Sequence, residues 1–446
     1  MTEKNDPREI FGWKMYDWAN SAFYTTVVAA LFSPYITRLA QTAVGENGVV
    51  LSLGPLGNVT AKSLPTLCVS ISVGAQVFLL PLLGALGDYS DLKKRMMALF
   101  CYIAVVANCL LFFITGRLYL WGGVLFIIAN VCFGASNVFY NAFLPEIATD
   151  DQADKVSSRG YAYGYLGGAL LLLFNLLLVT RAEQFGMSTG LAVRLSLLSA
   201  GVWWGAFALI TFSLLRRRPQ KKSLPPGKGY LSAGIAEIIA TLKELRRLPL
   251  TLRFLIAYLI YNDGIQTVIV ASSVFLEQEL FPGGNPQFLL EIFLFVQFVA
   301  VVGALLFERL AYLINTKNAI IVSLVLWAGV VIYAYRFLST VPEAWVMAGV
   351  IAIVLGGSQA LSRSLFARMI PAGKEASFFG LYEVSDRGTS WMGPLLFSVV
   401  VARTGSYRQA LLSLIFFFVV GLIVLVFTNT DKAIQQASVP EAESSS

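Results

Sequence analysis

Long apolar runs without any charged side chain constrain this chain more than any other feature of its sequence. Five such runs have the length of a membrane-spanning helix, which needs about 20 mostly apolar residues: Met96 to Gly116, Leu118 to Pro145, Gly160 to Thr180, Leu195 to Leu215 and Gln409 to Thr430. No soluble fold could bury this surface, because 57% of the 446 residues are hydrophobic and only 13% are charged. The sequence therefore predicts an all-α polytopic membrane protein.

Further apolar stretches, each interrupted by a few polar residues, bring the predicted number of spanning helices to twelve. We number them spans 1 to 12, at residues 14–40, 66–87, 96–115, 119–143, 160–180, 191–215, 251–276, 288–311, 318–336, 345–368, 377–402 and 408–428. The first stretch is too long for the apolar core of a cleavable signal peptide, so we expect it to remain as span 1.

Lysine and arginine are distributed unequally between the two sides of these spans. With both termini inside, about 23 of them fall in inner segments and about 8 in outer segments. Because basic residues are retained on the cytoplasmic side of a membrane, both termini and the loop between spans 6 and 7 are predicted to be cytoplasmic. In a prokaryote, such a multi-pass protein would lie in the plasma (inner) membrane.

The loop between spans 6 and 7 divides the chain into two six-span halves, residues 1–215 and 251–430. The connecting residues 216–250 are basic, and their apolar positions follow helical spacing: Ile235, Ile238, Ile239, Leu242 and Leu245, beside Lys243, Arg246 and Arg247. Two interpretations remain open, an amphipathic helix on the inner membrane surface and a plain connection between the halves. The polar residues 431–446 are predicted to form a disordered cytoplasmic tail.

Polar side chains inside spanning helices are costly and usually face an interior or a cavity. They occur here on spans 1, 4, 7, 10 and 11. Our candidates for the substrate cavity and for ion coupling are Asp17, Asn20, Tyr24, Asn137, Asn141, Asp263, Gln266, Gln359, Arg363, Glu383, Asp386 and Arg387. The competing interpretation is hydrogen bonding between helices without a transport role. For span 11, the charges could also lie at the membrane interface if the helix begins later.

The depth of the charged residues predicts how they pair. Asp263 lies about 18 Å into span 7 and Arg387 about 15 Å into span 11, at about 1.5 Å per residue, so we expect these two to pair. Arg363 and Glu383 share a shallower level and are expected to form a second pair. The alternative is a Glu383–Arg387 pair on one helix, which would leave Asp263 available to a proton or a cationic substrate group.

The loop after span 2 contains a motif that we interpret as a gating loop, made of Gly84, Asp88, Lys93 and Lys94. Gly84 permits close approach of helices, and Asp88 can face the positive N-terminus of a neighbouring helix. The segment resembles the signature loop of the major facilitator transporters. It departs from that pattern at Tyr89 and Asp91, where the family usually has a basic residue and a glycine.

Longer strings in both halves carry a more specific resemblance: "YDWANSAF" at 16–23, "YNAFLPEIA" at 140–148, "YNDGIQT" at 261–267, "GGSQALSRSLFARMIP" at 356–371 and "FFGLYEVSDRGTSWMGPLLF" at 378–397. They resemble the vacuole-effluxer-like permeases related to autophagy, a branch of the major facilitator superfamily. The resemblance covers essentially the whole chain. It implies a major facilitator fold of two pseudo-symmetric halves and alternating access. Fungal members of this branch are associated with the release of amino acids from the vacuole.

The composition excludes several kinds of chemistry. The chain has no histidine, so any proton transfer must use carboxylates, and its four cysteines show no metal-ligand spacing. Nothing resembles a Walker phosphate-binding loop. We therefore expect a protein that is not an enzyme, has no cofactor, metal or nucleic-acid partner, and is a monomer in the lipid bilayer.

Two hypotheses for the function follow. The first is a secondary active transporter of a small polar metabolite, with amino acids as the candidate substrate and proton-coupled efflux as the candidate mechanism. The second is a non-transporting membrane receptor or scaffold that acts through the basic loop between spans 6 and 7. Uptake or counterflow in proteoliposomes separates the two, because a receptor binds its ligand without moving it across.

The predicted topology can be tested with single cysteines introduced by Pro225→Cys and Pro440→Cys. Both should stay unlabelled by an impermeant maleimide in intact cells and should become labelled after permeabilisation, because the basic residues place both positions inside. Arg117→Cys, in a predicted outer loop, is the matched control and should be labelled in intact cells. Labelling of position 225 or 440 from outside would overturn the topology.

Overall fold

Helices, many of them long enough to cross a membrane, make up most of the part of the chain that the structure describes. The computed structural model describes residues 4–46, 48–52, 54, 58–88, 93–217, 230–281, 285–387 and 391–438. Span 1 comprises Pro7–Ala22, a π-helical segment Phe23–Leu31 and Phe32–Val44. The next five spans are Leu64–Gly87, Lys93–Leu110, Tyr119–Ala142, Ala153–Thr180 and Thr189–Leu214.

A helix at Tyr230–Arg247, here called the linker helix, precedes the second set of spans. Spans 7 to 10 are Pro249–Leu280, Pro286–Ile314, Thr316–Arg336 and Val341–Arg368; span 11 is Glu375–Arg387 with Met392–Thr404; span 12 is Tyr407–Ser413 with Ile415–Val426. The shorter elements are the helices Leu144–Ile147 and Thr430–Ser438, the 3₁₀ turns Leu111–Phe113, Gly116–Leu118 and Glu183–Phe185, and the antiparallel strands β1 (Val49–Ser52) and β2 (Asn58–Thr60).

Within the described residues, eleven helical stretches are long and apolar enough to cross a membrane, whereas the sequence predicted twelve. The difference is span 11, predicted as one continuous helix over 377–402. Its two described helices, Glu375–Arg387 and Met392–Thr404, are each shorter than a membrane-spanning helix, and residues 388–390 between them lie outside the described residues. Pro394 lies in the first turn of the second helix, where its missing N–H costs nothing.

Both described ends of the chain lie at the same end of the bundle as the linker helix. The Asn5 N–H donates to the Ile147 carbonyl at the end of span 4, over 2.7 Å. The Lys317 ammonium at the start of span 9 donates to the Val426 carbonyl at the end of span 12, over 2.8 Å. We call this end the linker side and the opposite end the far side.

The spans pack in two groups that meet along a few helices. In the first group, span 1 packs against spans 5 and 6, and span 4 packs against spans 2 and 3. In the second group, span 10 packs against spans 8 and 9, and span 12 against span 7. The main contacts between the groups are span 2 with span 11, span 4 with span 11, and span 5 with spans 8 and 10.

Two glycines allow the backbones of spans 2 and 11 to touch near the linker side. A Cβ atom on Gly84 would lie 2.3 Å from the Ala376 carbonyl oxygen, and one on Gly380 would lie 2.8 Å from the Leu80 carbonyl oxygen. Any side chain at either position would force the two helices apart. The glycine of the predicted loop motif therefore lies at a close crossing of the two halves.

Span 1 changes its winding at Phe23, where the predicted α-helix becomes a π-helix that continues to Leu31. The Phe32 N–H donates to the Val27 carbonyl, one residue further back than in an α-helix. Near the start of this segment, the Thr25 hydroxyl donates to the Ser21 carbonyl over 2.9 Å. Such segments occur frequently at functional sites.

The C-terminal segment differs from its prediction. Residues 431–446 were expected to be disordered, but Thr430–Ser438 forms a helix that packs against span 7. The Asn429 side chain caps its start by accepting from the Lys432 N–H over 3.0 Å, and Ala433 and Ala437 are buried. The prediction from polar composition is wrong here because Ala433, Ile434 and Ala437 give the short helix an apolar face that packs against the bundle. Residues 439–446 lie outside the described residues.

The close crossing of spans 2 and 11 can be tested with Gly84→Ala. The added methyl group should destabilise the contact between spans 2 and 11 by about 1–3 kcal/mol, as overpacking does elsewhere. Thermal unfolding of the purified protein measures this. Gly74→Ala on the same helix is the control, because a Cβ there meets nothing within 4 Å. Equal melting temperatures for the two variants would contradict the close crossing.

Candidate functional site

Arg363 on span 10 is the centre of a polar cluster that joins the two halves. Its Nε donates to the Ser157 hydroxyl over 2.9 Å and its Nη2 to the Ser157 carbonyl over 3.0 Å. Its Nη1 donates to Asn141 Oδ1 over 3.3 Å, and its Nη2 to Asp17 Oδ2 over 3.2 Å. Only 3% of the Arg363 side chain is exposed. We call Asp17, Tyr140, Asn141, Ser157 and Arg363 the Arg363 cluster.

Three aromatic rings surround the same guanidinium. The Cζ atom of Arg363 lies 4.3 Å from the ring centroid of Tyr161, 4.8 Å from that of Trp13 and 5.6 Å from that of Tyr140. Trp13 in turn stacks on Tyr140, with centroids 4.4 Å apart. These rings exclude water, and their faces attract the cation. The cluster therefore holds a charge that is desolvated and still fully surrounded by favourable partners.

Asp17 supplies the negative charge of the cluster. Its Oδ2 accepts from the Tyr140 hydroxyl over 2.6 Å as well as from Arg363. Asp17 belongs to span 1 and Arg363 to span 10, so the ion pair crosses the boundary between the halves. Breaking one partner of a buried pair leaves an uncompensated charge, which costs about 3–5 kcal/mol.

Glu383 is connected to the Arg363 cluster through the side-chain amide of Asn141. The Asn141 Nδ2 donates to Glu383 Oε1 over 2.7 Å, while its Oδ1 accepts from Arg363. The predicted Arg363–Glu383 ion pair is thus wrong in its partner. Arg363 pairs instead with Asp17. The prediction compared the depths of charged residues in the second half only, whereas Asp17 belongs to the first half.

A second group of polar contacts lies closer to the linker side. Asp154 at the start of span 5 accepts from the Ser364 hydroxyl over 2.5 Å and from Arg368 Nη2 over 3.1 Å. The Thr316 hydroxyl at the start of span 9 also donates to Asp154, over 2.5 Å. Further along span 5, Arg159 pairs with Glu308 on span 8, with N–O distances of 3.2 Å.

The loop motif after span 2 binds the start of span 11. The Asp88 carboxylate accepts from the Ala376 N–H over 2.9 Å and from the Ser377 N–H over 2.8 Å, which is the helix N-terminus contact expected of it. Burial raises the pKa of the Asp88 carboxyl to about 7, and the neighbouring Lys93 opposes this rise. Gly84 makes room for this contact one turn earlier.

The basic residues of the motif have different partners. The Lys93 ammonium lies 2.6 Å from Glu146 Oε1 and 3.9 Å from Glu375 Oε2, so it links span 3 to the end of span 4 and the start of span 11. Lys94 donates to the Leu215 carbonyl at the end of span 6. Lys93 therefore acts between the halves, and Lys94 within one of them.

Asp263 on span 7 lies apart from the Arg363 cluster. Its Oδ2 accepts from the Gly393 N–H in the first turn of the second helix of span 11, over 2.7 Å. Asp263 is fully buried, and its other oxygen, Oδ1, has no hydrogen-bond partner among the described residues. A buried carboxylate with one unsatisfied oxygen is costly unless it binds a proton or a cation.

The remaining predicted residues are spread along the inner faces of the spans. Asn20 Nδ2 donates to Asn137 Oδ1 over 2.8 Å, within the first half. The Tyr165 hydroxyl donates to Gln359 Oε1 over 3.2 Å, between the halves. Gln266 is half-buried and Tyr24 is exposed. The side chains of Asp386 and Arg387 lie outside the described residues, so the proposed Asp263–Arg387 and Glu383–Arg387 pairs stay predictions.

Sequence reasoning missed the contribution of span 5. Asp154, Ser157, Tyr161 and Tyr165 follow at offsets of three, four and four residues, which places them on one helix face. That face contacts span 10 at each of the four positions. The predicted span begins at residue 160 and so leaves out Asp154 and Ser157, although their spacing places them on the same helix face as Tyr161 and Tyr165.

Comparison with known proteins places this sequence in a family. Residues 5–438 match the family model described as "Vacuole effluxer Atg22 like". An uncharacterized MFS-type transporter, YxiO of Bacillus subtilis, is 31% identical over 96% of this chain and 97% of its own length. Autophagy-related protein 22-1 of Penicillium rubens is 25% identical over 99% of this chain and 93% of its own length.

Solved structures of major facilitator proteins share the fold. The human organic anion transporter MFSD10 (TETRAN) matches with a TM-score of 0.68 at 13% identity, over 95% of this chain and 100% of its own. The proton:xylose symporter XylE also matches with a TM-score of 0.68 at 13% identity, over 95% of each chain. The chain therefore has the major facilitator fold.

A double-mutant cycle on Asp17→Asn and Arg363→Gln tests the buried ion pair. Each single variant should lose about 3–5 kcal/mol of stability, and the double variant much less than the sum, because the charges compensate each other. The matched control is the cycle on Arg159→Gln and Glu308→Gln, a more exposed pair between the same halves. It should show a coupling of about 0–1 kcal/mol. If the stability losses of Asp17→Asn and Arg363→Gln simply add in the double variant, the two residues do not form a coupled ion pair.

Proposed function

Since the chain belongs to the Atg22-like vacuole effluxer family of major facilitator transporters, we propose that it is a secondary active transporter of a small polar metabolite that works by alternating access. The observation that carries this proposal is the charged network between the halves. Asp17–Arg363, Asp154–Arg368 and Arg159–Glu308 all join the halves towards the linker side. Opening that side requires these pairs to separate.

Contacts on the far side support the same interpretation. There the Tyr35 hydroxyl donates to the Ile114 carbonyl, Arg194 to the Phe112 carbonyl, and Arg408 to Glu279. Each of these bonds stays within one half. We therefore interpret the structure as the state closed on the linker side, from which substrate would exchange with the far side.

The polar groups between the halves favour a substrate with several hydrogen-bonding groups. Asn20, Asn137, Gln266 and Gln359 offer amides near the middle of the spans, and Asp263 offers a carboxylate oxygen without a partner in the described chain. An amino acid presents an ammonium group that suits such an oxygen. Together with the family description as a vacuole effluxer, this makes amino acids the first substrate class to test.

Asp263 is the residue we propose for proton coupling. The chain has no histidine, so the carrier of a proton must be a carboxylate. Asp17 is already neutralised by Arg363, whereas Asp263 accepts from the Gly393 N–H and pairs with no cation among the residues that the structure describes. Protonation of Asp263 would weaken its bond to the second helix of span 11 and so link proton binding to movement of that helix.

We also propose that the linker side is cytoplasmic. The excess of lysine and arginine on that side supports this orientation. In a prokaryotic cell the transporter would lie in the plasma membrane, with both termini inside. With no ATP-binding loop in the sequence, the energy would come from ion or substrate gradients.

Thermal-shift screening followed by flux measurement tests the function. Purified protein is first screened against amino acids and other polar metabolites, because a ligand that binds only the folded state stabilises it. Each stabilising compound is then tested for counterflow in proteoliposomes. A ligand that stabilises the protein but is never transported would favour a receptor and overturn the proposed transport.

The coupling role of Asp263 is tested with Asp263→Asn. Counterflow of substrate should persist, while accumulation driven by a pH gradient should fall to the equilibrium level, because the asparagine cannot carry a proton. Glu277→Gln is the matched control, since Glu277 is an exposed carboxylate on the same helix. If Asp263→Asn accumulates substrate at the wild-type rate over a pH series, Asp263 does not couple protons.

A further inference from the structure

The linker helix, Tyr230–Arg247, has one face buried against the two spans that cross at Gly84. A Cβ on Gly234 would lie 2.7 Å from Leu82 Cδ1 of span 2. Ile238 and Thr241 lie over span 2 and the start of span 11, where they line a small cavity with Pro81, Ala85, Ser377 and Leu381. Glu244 pairs with Lys374 just before span 11. The helix therefore packs across both spans, 2 and 11, where the halves cross on the linker side.

A second face of the same helix is apolar and uncovered. Ile235, Ile239 and Leu242 are 51%, 50% and 45% exposed. Their spacing of four and three residues places them in one stripe along the helix. Phe78 and Leu79 of span 2 are also exposed, about one turn before Leu82. The exposed apolar stripe therefore belongs to a helix that packs next to exposed apolar residues of span 2.

The position of the helix fixes its depth. It packs on the last turns of span 2 and the first turns of span 11, and it leads through Leu248 alone into Pro249, the first residue of span 7. All three spans begin or end at the linker-side boundary of the bundle. The linker helix is therefore at the end of the bundle, where the headgroups of a bilayer around these spans would lie.

Basic residues accompany the stripe. Lys243, Arg246 and Arg247 are exposed near the end of the helix. Basic side chains at headgroup depth attract anionic phospholipids, each contributing about a fivefold gain in affinity. A stripe of large apolar residues beside such charges is the pattern of a helix that lies in the membrane interface.

We propose that the linker helix is a binding surface for anionic phospholipid. Ile235, Ile239 and Leu242 insert between acyl chains, and Lys243, Arg246 and Arg247 bind the phosphate groups. Because the neighbouring face of the helix, with Gly234, Ile238 and Thr241, packs against spans 2 and 11, lipid bound here holds the linker side closed. The sign of the lipid charge follows from the basic residues, and the apolar stripe requires a bilayer and not a free phosphate.

Spin labels test where the stripe lies. Nitroxides are attached at Ile239→Cys and, as the matched control, at the adjacent exposed position Ala240→Cys, in liposomes of phosphatidylcholine and phosphatidylglycerol. The label at 239 should be relaxed more by oxygen, which dissolves in the bilayer, than by an aqueous nickel complex. The label at 240 should be relaxed more by the nickel complex than by oxygen. Preference for nickel at 239, or protection from both reagents by a covering protein, would overturn the proposal.

Charge substitution tests the lipid specificity. Phosphatidylglycerol should raise the melting midpoint of the wild-type protein in phosphatidylcholine liposomes. The triple variant Lys243→Gln, Arg246→Gln, Arg247→Gln should need on the order of a hundredfold more of it for the same shift. The control triple Arg38→Gln, Arg117→Gln, Arg181→Gln removes equal charge from the far side and should respond as wild type. An unchanged response in the linker triple, or an equal loss in the control, would refute the proposal. Neither readout depends on transport, so these results stand apart from the proposed transport activity.

Discussion

The desolvated guanidinium of Arg363 is the interaction on which the contact between the two halves depends. A cation cannot be buried in this environment unless charge and hydrogen-bond acceptors surround it. Spans 1, 4 and 5 supply them together, through Asp17, Asn141 and Ser157. If span 10 moves away alone, all three groups lose their hydrogen bonds to Arg363. Separating the halves therefore requires water to replace this whole set of hydrogen-bond partners.

Backbone geometry brings these polar groups into reach. Gly84 and Gly380 let spans 2 and 11 cross in contact, and Asp88 then meets the N–H groups at the start of span 11. This crossing sets the spacing between the halves, and the ion pairs fix their lateral position. Stability and movement thus share the same elements, because the bonds that hold the linker side closed are the ones that a transport cycle must break.

The sequence predicted the fold class and most of the polar residues, but it did not predict how those residues pair. Asp17, Asn141 and Arg363 were found because charged and amide groups within apolar helices stand out. Tyr140 was missed because a tyrosine in a spanning helix is ordinary, and Ser157 because the predicted span 5 begins only at residue 160. Pairing across the halves depends on the relative placement of helices more than two hundred residues apart in sequence, which periodicity does not encode. Span 11 is described as two helices, and whether they are continuous, as predicted for 377–402, depends on residues 388–390, which lie outside the described residues.

The π-helical segment of span 1 has a mechanical consequence. Nine residues from Phe23 to Leu31 are wound more loosely than the helix on either side. Tightening this segment to α-helical geometry would turn the outer part of span 1 about its own axis and shift it along that axis. Asp17, which lies before the segment, would stay anchored to Arg363 throughout. A change of winding in this segment would therefore rotate the far-side part of span 1, while the bond between Asp17 and Arg363 holds the linker-side part in place.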